Sequence, residues 1–200
     1  MKRILSAIII CILFQPLITE AREEPMKPLT EKATFAGGCF WGMEKLFADL
    51  DGVVSTRVGY TGGHVKNPSY EMVCTGMTGH AEAIEITFDP AKISYAKLLE
   101  VFFSYHDPTT LNRQENDMGT QYRSAIFYQD PVQEKSAKKS IELLTKAKVF
   151  KNKIVTQVEP AGDFYAAEDY HQKYLKKNPN GYCSIHFQSH KIAEALKQLH

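Results

Sequence analysis

The sequence predicts an α+β fold, with helices packed on one mixed sheet. Three observations carry that prediction. Segments with apolar residues at helical spacing share the chain with segments that alternate apolar and polar residues. The two kinds do not follow one another in strict alternation, as a parallel βαβ series would. With 200 residues, 44% of them hydrophobic, the chain is long and apolar enough to bury one domain-sized core.

Residues 22–31 are charged, contain Pro25 and Pro28, and read as a linker. The globular domain is expected over 32–200. Ala33 to Ala36 is a short strand ending at Gly37-Gly38. Phe40, Met43, Leu46, Phe47 and Leu50 then recur at helical spacing, with Gly52 as the stop. Val53 to Tyr60 reads as a strand, and a glycine-rich loop follows from Thr61 to Pro68. Ile84, Ile86 and Phe88 alternate with polar residues, which gives a half-buried strand closed by Asp89-Pro90. Ser94 can cap a helix carrying Leu98, Leu99, Phe102 and Phe103. The polar loop from Thr109 to Gln121 is of a length that is usually functional. Ala125 to Tyr128 is a strand, and Asp130-Pro131 opens an amphipathic helix to about Lys148. Ile154 to Val158 is a strand. Tyr165 to Lys176 is a helix stopped by Asn178-Pro179-Asn180-Gly181, and a last helix runs from Lys191 to Leu199.

The start of the chain is different in kind. Lys2 and Arg3 precede an uncharged apolar run from Ile4 to Ile18, and Ala21 supplies a small residue before the charged linker. This reads as a cleavable signal peptide over 1–21. The run, with Pro16 near its end, falls short of the ~20 residues a membrane span wants. Cys11 lacks the small residues expected ahead of a lipid-modified cysteine. The mature protein is therefore expected in the periplasm or outside the cell, without stable membrane integration. Removing Lys2, Arg3 and Glu20 takes the formal charge from +1 to neutral. A neutral chain does not favour nucleic acid, whose capture needs clustered Lys and Arg.

Cleavage leaves Cys39, Cys74 and Cys183. An odd number in an exported protein means that at least one thiol has no permanent intramolecular partner. Cys39 follows Gly37-Gly38 and opens the first helix, where backbone N–H groups and the dipole favour a thiolate. Phe40 and Trp41 beside it would hold something apolar, or belong to the core. Glu82 shares the inward face of Ile84 and Ile86. Burial would keep it neutral and make it a proton donor, unless a Lys or Arg pairs with it. His80-x-Glu82 has no downstream pair of cysteines to complete a zinc site, so no metal is expected and His80 reads as a hydrogen-bonding loop residue. Tyr70, Tyr122, Asp117 and Arg123 sit in or beside polar loops, either as packing or as hydrogen-bonding groups of a pocket. Cys183 follows a flexible stretch and could reach another cysteine, whereas Cys74 reads as buried and structural. A cysteine hydrolase using His80 or His171, or a non-catalytic binding module, stays open on these residues alone.

Several motifs in order resemble those of the A-type peptide methionine sulfoxide reductases. They are Gly37-Gly38-Cys39-Phe40-Trp41-Gly42, Gly59-Tyr60-Thr61-Gly62-Gly63, Asn67-Pro68-Ser69-Tyr70, Gly79-His80-Ala81-Glu82-Ala83, Asn116-Asp117, Gly119-Thr120-Gln121-Tyr122-Arg123-Ser124 and Ala166 with Glu168, Tyr170, His171 and Gln172. They span about Lys32 to Phe187. The resemblance implies an α+β fold, a two-layer α/β sandwich with a ferredoxin-like core, a mixed sheet and long coil segments. It implies Cys39 as nucleophile, Phe40 and Trp41 as the pocket for the S-methyl group, and Glu82 as proton donor to the sulfoxide oxygen. Tyr70 and Tyr122 would hydrogen-bond that oxygen, with Asp117 assisting. Cys183 would resolve the Cys39 sulfenic acid as a disulfide, reduced in turn by a thioredoxin-like dithiol. The implied substrate is the S epimer of methionine sulfoxide, free or in proteins, with no cofactor and a monomeric enzyme. Some relatives relay the disulfide through two tail cysteines, but this chain has only Cys183. Export would require an exported reductant.

Overall fold

A computed structural model describes residues 29–182 and 189–199. The expected signal segment, most of the linker and Cys183 lie outside them. The elements in order are β1 (Glu31–Gly37), α1 (Phe40–Ala48), β2 (Val53–Thr61), α2 (Tyr70–Cys74), β3 (Ala81–Phe88), α3 (Tyr95–Tyr105), β4 (Arg113–Gln114), β5 (Asp117–Met118), β6 (Ser124–Tyr128), α4 (Pro131–Lys146), β7 (Gln157–Pro160), β8 (Tyr165–Ala166), α5 (Tyr174–Lys177) and α6 (Ser189–Leu196). Single 3-10 turns cover Thr120–Tyr122 and Lys197–Leu199.

One six-stranded sheet is ordered β7-β6-β1-β3-β2-β8. The pairs β6–β1, β1–β3, β3–β2 and β2–β8 are antiparallel, while β7 lies parallel to β6. The inner order β6-β1-β3-β2, with α1 joining β1 to β2 and α3 lying between β3 and β6, is the split βαβ arrangement of ferredoxin-like folds. The fold is therefore α+β on a mixed sheet.

The inward residues of the strands decide which face the helices cover. Ala33, Phe35, Ile84, Ile86 and Ile126 join Met43 and Phe47 of α1, Leu98, Leu99, Phe102 and Phe103 of α3, Leu144 of α4 and Ile192 of α6 in one buried core. The opposite face carries Ala36, Ala81, Ala83 and Ala125, small enough for the coil at Ala161 and Phe164 to lie close over them. Caps fix where the helices begin. Ser94 Oγ accepts from the Lys97 N–H at 3.1 Å. Asp130 Oδ1 accepts from Val132 and Gln133 at 2.7 and 2.9 Å, with Pro131 in the first turn. Each such cap stabilises by about 1 kcal/mol.

Two sequence expectations are corrected. The helix expected over Tyr165 to Lys176 is instead a two-residue strand against β2, a run of turns, and the single turn of α5. Its polar side chains bond to distant backbone rather than to their own helix. Gln172 Oε1 accepts from the Val58 N–H at 3.0 Å and its Nε2 donates to the Val58 carbonyl at 2.9 Å, taking the place of a neighbouring strand. Lys173 has φ +54, which a helix interior does not allow. Cys74 is exposed, not buried. It lies in α2, where Val73 is the inward residue, and the strand alternation begins only at Ala81.

Candidate active site

One end of the sheet gathers the reactive side chains. β1 ends there at Gly37, opposite Ser124 at the start of β6. β3 starts there, with Glu82 opposite Tyr60 near the end of β2. Antiparallel pairing thus places the exit of β1, the start of β3 and the entry to β6 together. Gly38 makes the turn from β1 into α1 with φ +94, and a Cβ there would stand 2.8 Å from Cβ and Cγ of Gln114. Gly38→Ala is expected to cost about 1–3 kcal/mol in thermal unfolding and to lower turnover with it, since Cys39 is the next residue.

Cys39 is the N-cap residue of α1 and half-buried. The Phe40 N–H donates to Glu82 Oε2 at 3.1 Å, which fixes the carboxyl beside the cysteine. Glu82 is 2% exposed. Burial pushes its pKa up to about 8, against the Phe40 bond and with a smaller push from Asp117. It is neutral at pH 7, as an acid catalyst must be. Burial also pushes the Cys39 thiol well above its ordinary range, reinforced by Glu82 and Asp117. The N–H groups of Trp41 and Gly42 pull the other way, as the helix start predicts, but burial outweighs them. The resting pair is a thiol and a carboxylic acid.

Tyr122 and Tyr70 complete the cluster. Burial raises Tyr122, with further contributions from Glu82, Tyr70, Asp117 and Cys39. Tyr70 is raised by burial first, then by its hydrogen bond to the Cys74 sulfur, then by Glu82 and more weakly by Cys39. Asp117 is brought in by the short β4–β5 hairpin, which the buried Gln114 anchors. Gln114 Oε1 accepts from the Asp107 N–H at 3.0 Å and its Nε2 donates to the Asp107 carbonyl at 2.6 Å. Tyr182, the last described residue before the tail cysteine, donates its hydroxyl to Asp117 Oδ1 at 3.2 Å. Arg123, a loop candidate, is instead buried and structural. It bonds Gln157 Oε1, the Thr120 carbonyl and the Gly62 carbonyl.

The apolar wall is made by Phe40, 1% exposed, and Trp41, whose ring centroids lie 6.5 Å apart. Trp41 stacks on Tyr174 at 3.8 Å and donates Nε1–H to His171 Nδ1 at 3.0 Å. Accepting there leaves the His171 proton on Nε2, and burial lowers its pKa, so the ring is neutral. His80 is committed through both ring nitrogens, whereas the His171 Nε2 is buried without a hydrogen-bond partner. The His80 Nδ1 accepts from the Gly63 N–H at 3.1 Å, and its Nε2 donates to the Val65 carbonyl at 2.7 Å. Both rings bond to neighbouring groups, and neither makes a hydrogen bond to Cys39. A cavity of about 340 Å³ opens behind Trp41, between α1 and Lys173 to Lys176, away from the thiol.

Glu168, Tyr174 and Tyr60 are the residues that sequence reasoning missed as site builders. Glu168 accepts from the Tyr70 N–H and the Tyr60 hydroxyl, each at 2.9 Å, and so seats α2. The signal was the polar motif from Ala166 to Gln172, whose partners lie about a hundred residues earlier.

The model of the family described as peptide methionine sulfoxide reductase matches residues 31–199. The chain belongs to the peptide methionine sulfoxide reductase family. It is an A-type member and an oxidoreductase, a peptide-methionine (S)-S-oxide reductase. The peptide methionine sulfoxide reductase MsrA of Methanothermobacter thermautotrophicus is 60% identical over 155 residues, covering 78% of this chain and 92% of that one. The structure of reduced Mxr1 from Saccharomyces cerevisiae superposes with a TM-score of 0.72 at 41% identity, over 78% of this reductase and 89% of Mxr1. Mxr1 in complex with Trx2 matches with a TM-score of 0.54 at 26% identity, over 84% and 96% of the two chains.

Proposed function

We propose that this chain reduces the S epimer of free and protein-bound methionine sulfoxide, with Cys39 as the nucleophile. One observation carries the assignment of roles. A neutral Glu82 is bonded to the backbone N–H of Phe40, beside the Cys39 thiol and the aromatic pair. The S-methyl group packs between Phe40 and Trp41, and the sulfoxide oxygen faces Glu82, Tyr122 and Tyr70. Glu82 gives its proton to that oxygen, which makes it a leaving group. The Cys39 sulfur attacks the sulfoxide sulfur, an S–S bond forms, and the substrate's S–O bond breaks, the oxygen leaving as water with the protons of Glu82 and the thiol. Water then attacks the Cys39 sulfur, the S–S bond breaks and methionine leaves, so that Cys39 holds the oxygen as sulfenic acid and the released proton returns Glu82 to its acid form.

Cys183 then condenses with the sulfenic acid, forming a disulfide and releasing water. The Tyr182–Asp117 hydrogen bond supports this role, since it ties the residue before Cys183 to the rim of the site. A dithiol of the thioredoxin class opens the disulfide. The complex of the related Mxr1 with Trx2 supports a partner of that kind. With the leader read over 1–21, the protein acts as an exported monomer. It repairs oxidised exported proteins and draws on an exported reductant.

A single turnover tests the scheme. Reduced protein freed of reductant should yield about one methionine and lose two thiols, with only the S epimer consumed. Cys183→Ser should keep the one methionine, lose one thiol, and fail to recycle with thioredoxin. Normal recycling by that variant would remove Cys183 from the cycle.

A further inference from the structure

Four methionines lie among the described residues. Met43 is in the core and 1% exposed. The other three are strongly exposed, Met72 at 43%, Met77 at 76% and Met118 at 71%. They lie on the segments that also carry the candidate site residues Tyr70, Asp117 and Tyr122. Met72 is two residues from Tyr70 in α2, and Met118 follows Asp117 in β5. The Thr120 hydroxyl donates to the Gly76 carbonyl at 3.4 Å, which ties the turn carrying Met77 to the segment between Met118 and Tyr122. Leucine would supply the same apolar surface without an oxidisable sulfur.

We propose that Met72, Met77 and Met118 are a sacrificial oxidant trap at the rim of the site, whose sulfoxides a second copy of this chain reduces. The proposal rests on the reductase reading above. Hypochlorous acid transfers its oxygen to a rim thioether and leaves as hydrochloric acid. Cys39 of the second copy then reduces the sulfoxide, that oxygen leaves as water, and the thioether is restored. Each round consumes one oxidant and two electrons from the dithiol. The exchange runs between copies because α2 and the β4–β5 hairpin hold these residues at the rim. The Met72 carbonyl accepts from the Thr75 hydroxyl at 2.6 Å, and Met118 pairs with Arg113.

The test uses Cys39→Ser protein as substrate, so that its own oxygen-accepting thiol is absent. Treat it with limiting hypochlorite, map oxidation at each methionine by peptide mass, then add a catalytic amount of the native protein with dithiothreitol. Oxidation should fall on Met72, Met77 and Met118 before Met43. Roughly half of the sulfoxide at each rim position, the S epimer, should revert, and none without the native protein. Equal oxidation of Met43 would overturn the trap. Rim sulfoxides that persist while N-acetyl-methionine sulfoxide is reduced would overturn it too and leave the reductase standing. Failure on both substrates would overturn the reductase reading itself. In a second arm, the triple variant Met72→Leu, Met77→Leu, Met118→Leu should reduce N-acetyl-methionine sulfoxide at the native rate. It should lose activity at a lower hypochlorite dose than the native protein. Equal sensitivity of the two would overturn the trap.

Discussion

Cys39→Ser is expected to form no methionine above background from racemic N-acetyl-methionine sulfoxide, in single or multiple turnover. The reason lies in the product. A sulfur nucleophile can end the reaction holding oxygen in an S–O bond, but a serine hydroxyl would have to form an O–O bond, which is far weaker. Folding should not suffer. Cys39 caps α1 without any side-chain bond to the helix, and serine is among the better caps. Circular dichroism and thermal unfolding at or above the native level, with methionine absent by chromatography, would place the loss in the chemistry. Methionine produced by this variant would sink the assignment.

Glu82→Gln carries the next largest expected effect, a fall of about 10²–10⁴-fold in the single-turnover rate, the usual worth of a positioned general acid. The amide keeps the size of the side chain, and its oxygen can still accept from Phe40, so substrate binding should change little. The pH profile separates proton donation from simple packing. Glu82 loses its proton near pH 8, so the native rate should fall as pH rises through that value. The variant should lack that alkaline limb. Stability follows the same proton. The folded carboxyl holds its proton to about pH 8, while the unfolded chain releases it near 4.5. The stability tied to the neutral form is complete below about pH 4.5 and is lost as pH rises through 8. The melting temperature of the native protein should therefore drop more steeply than that of Glu82→Gln across this window.

The parts of the fold written in apolar periodicity were legible in the sequence. The strands carrying Phe35, Ile84 and Ile126 and the helices carrying Phe47, Leu98 and Leu144 are where the patterns placed them, because burial on one face imposes the period. Glu82 was readable for the same reason, as a carboxyl in step with Ile84 and Ile86. What failed depends on partners distant in the chain. Glu168, His171 and Gln172 sit in a stretch that looks helical, yet each bonds to a residue of β2, α1 or α2. No local propensity encodes such bonds. Cys74 was misplaced because the alternation of β3 was carried back into a helix that turns its sulfur outward. The state of Cys39 was misjudged in part. The helix start does favour the thiolate, but the depth of burial that opposes it is set by the whole fold.

Trp41 is the one tryptophan of the chain, and it forms a wall beside the thiol, stacked on Tyr174 and bonded to His171. Indole emission responds to the polarity and the quenchers around the ring. Every photon the protein emits as tryptophan fluorescence thus comes from beside Cys39, where the proposed reaction brings substrate and changes the oxidation state of sulfur. The molecule carries its own optical gauge, so stopped-flow emission can time the arrival of sulfoxide and the first oxygen transfer without a dye, a label or a coupled assay.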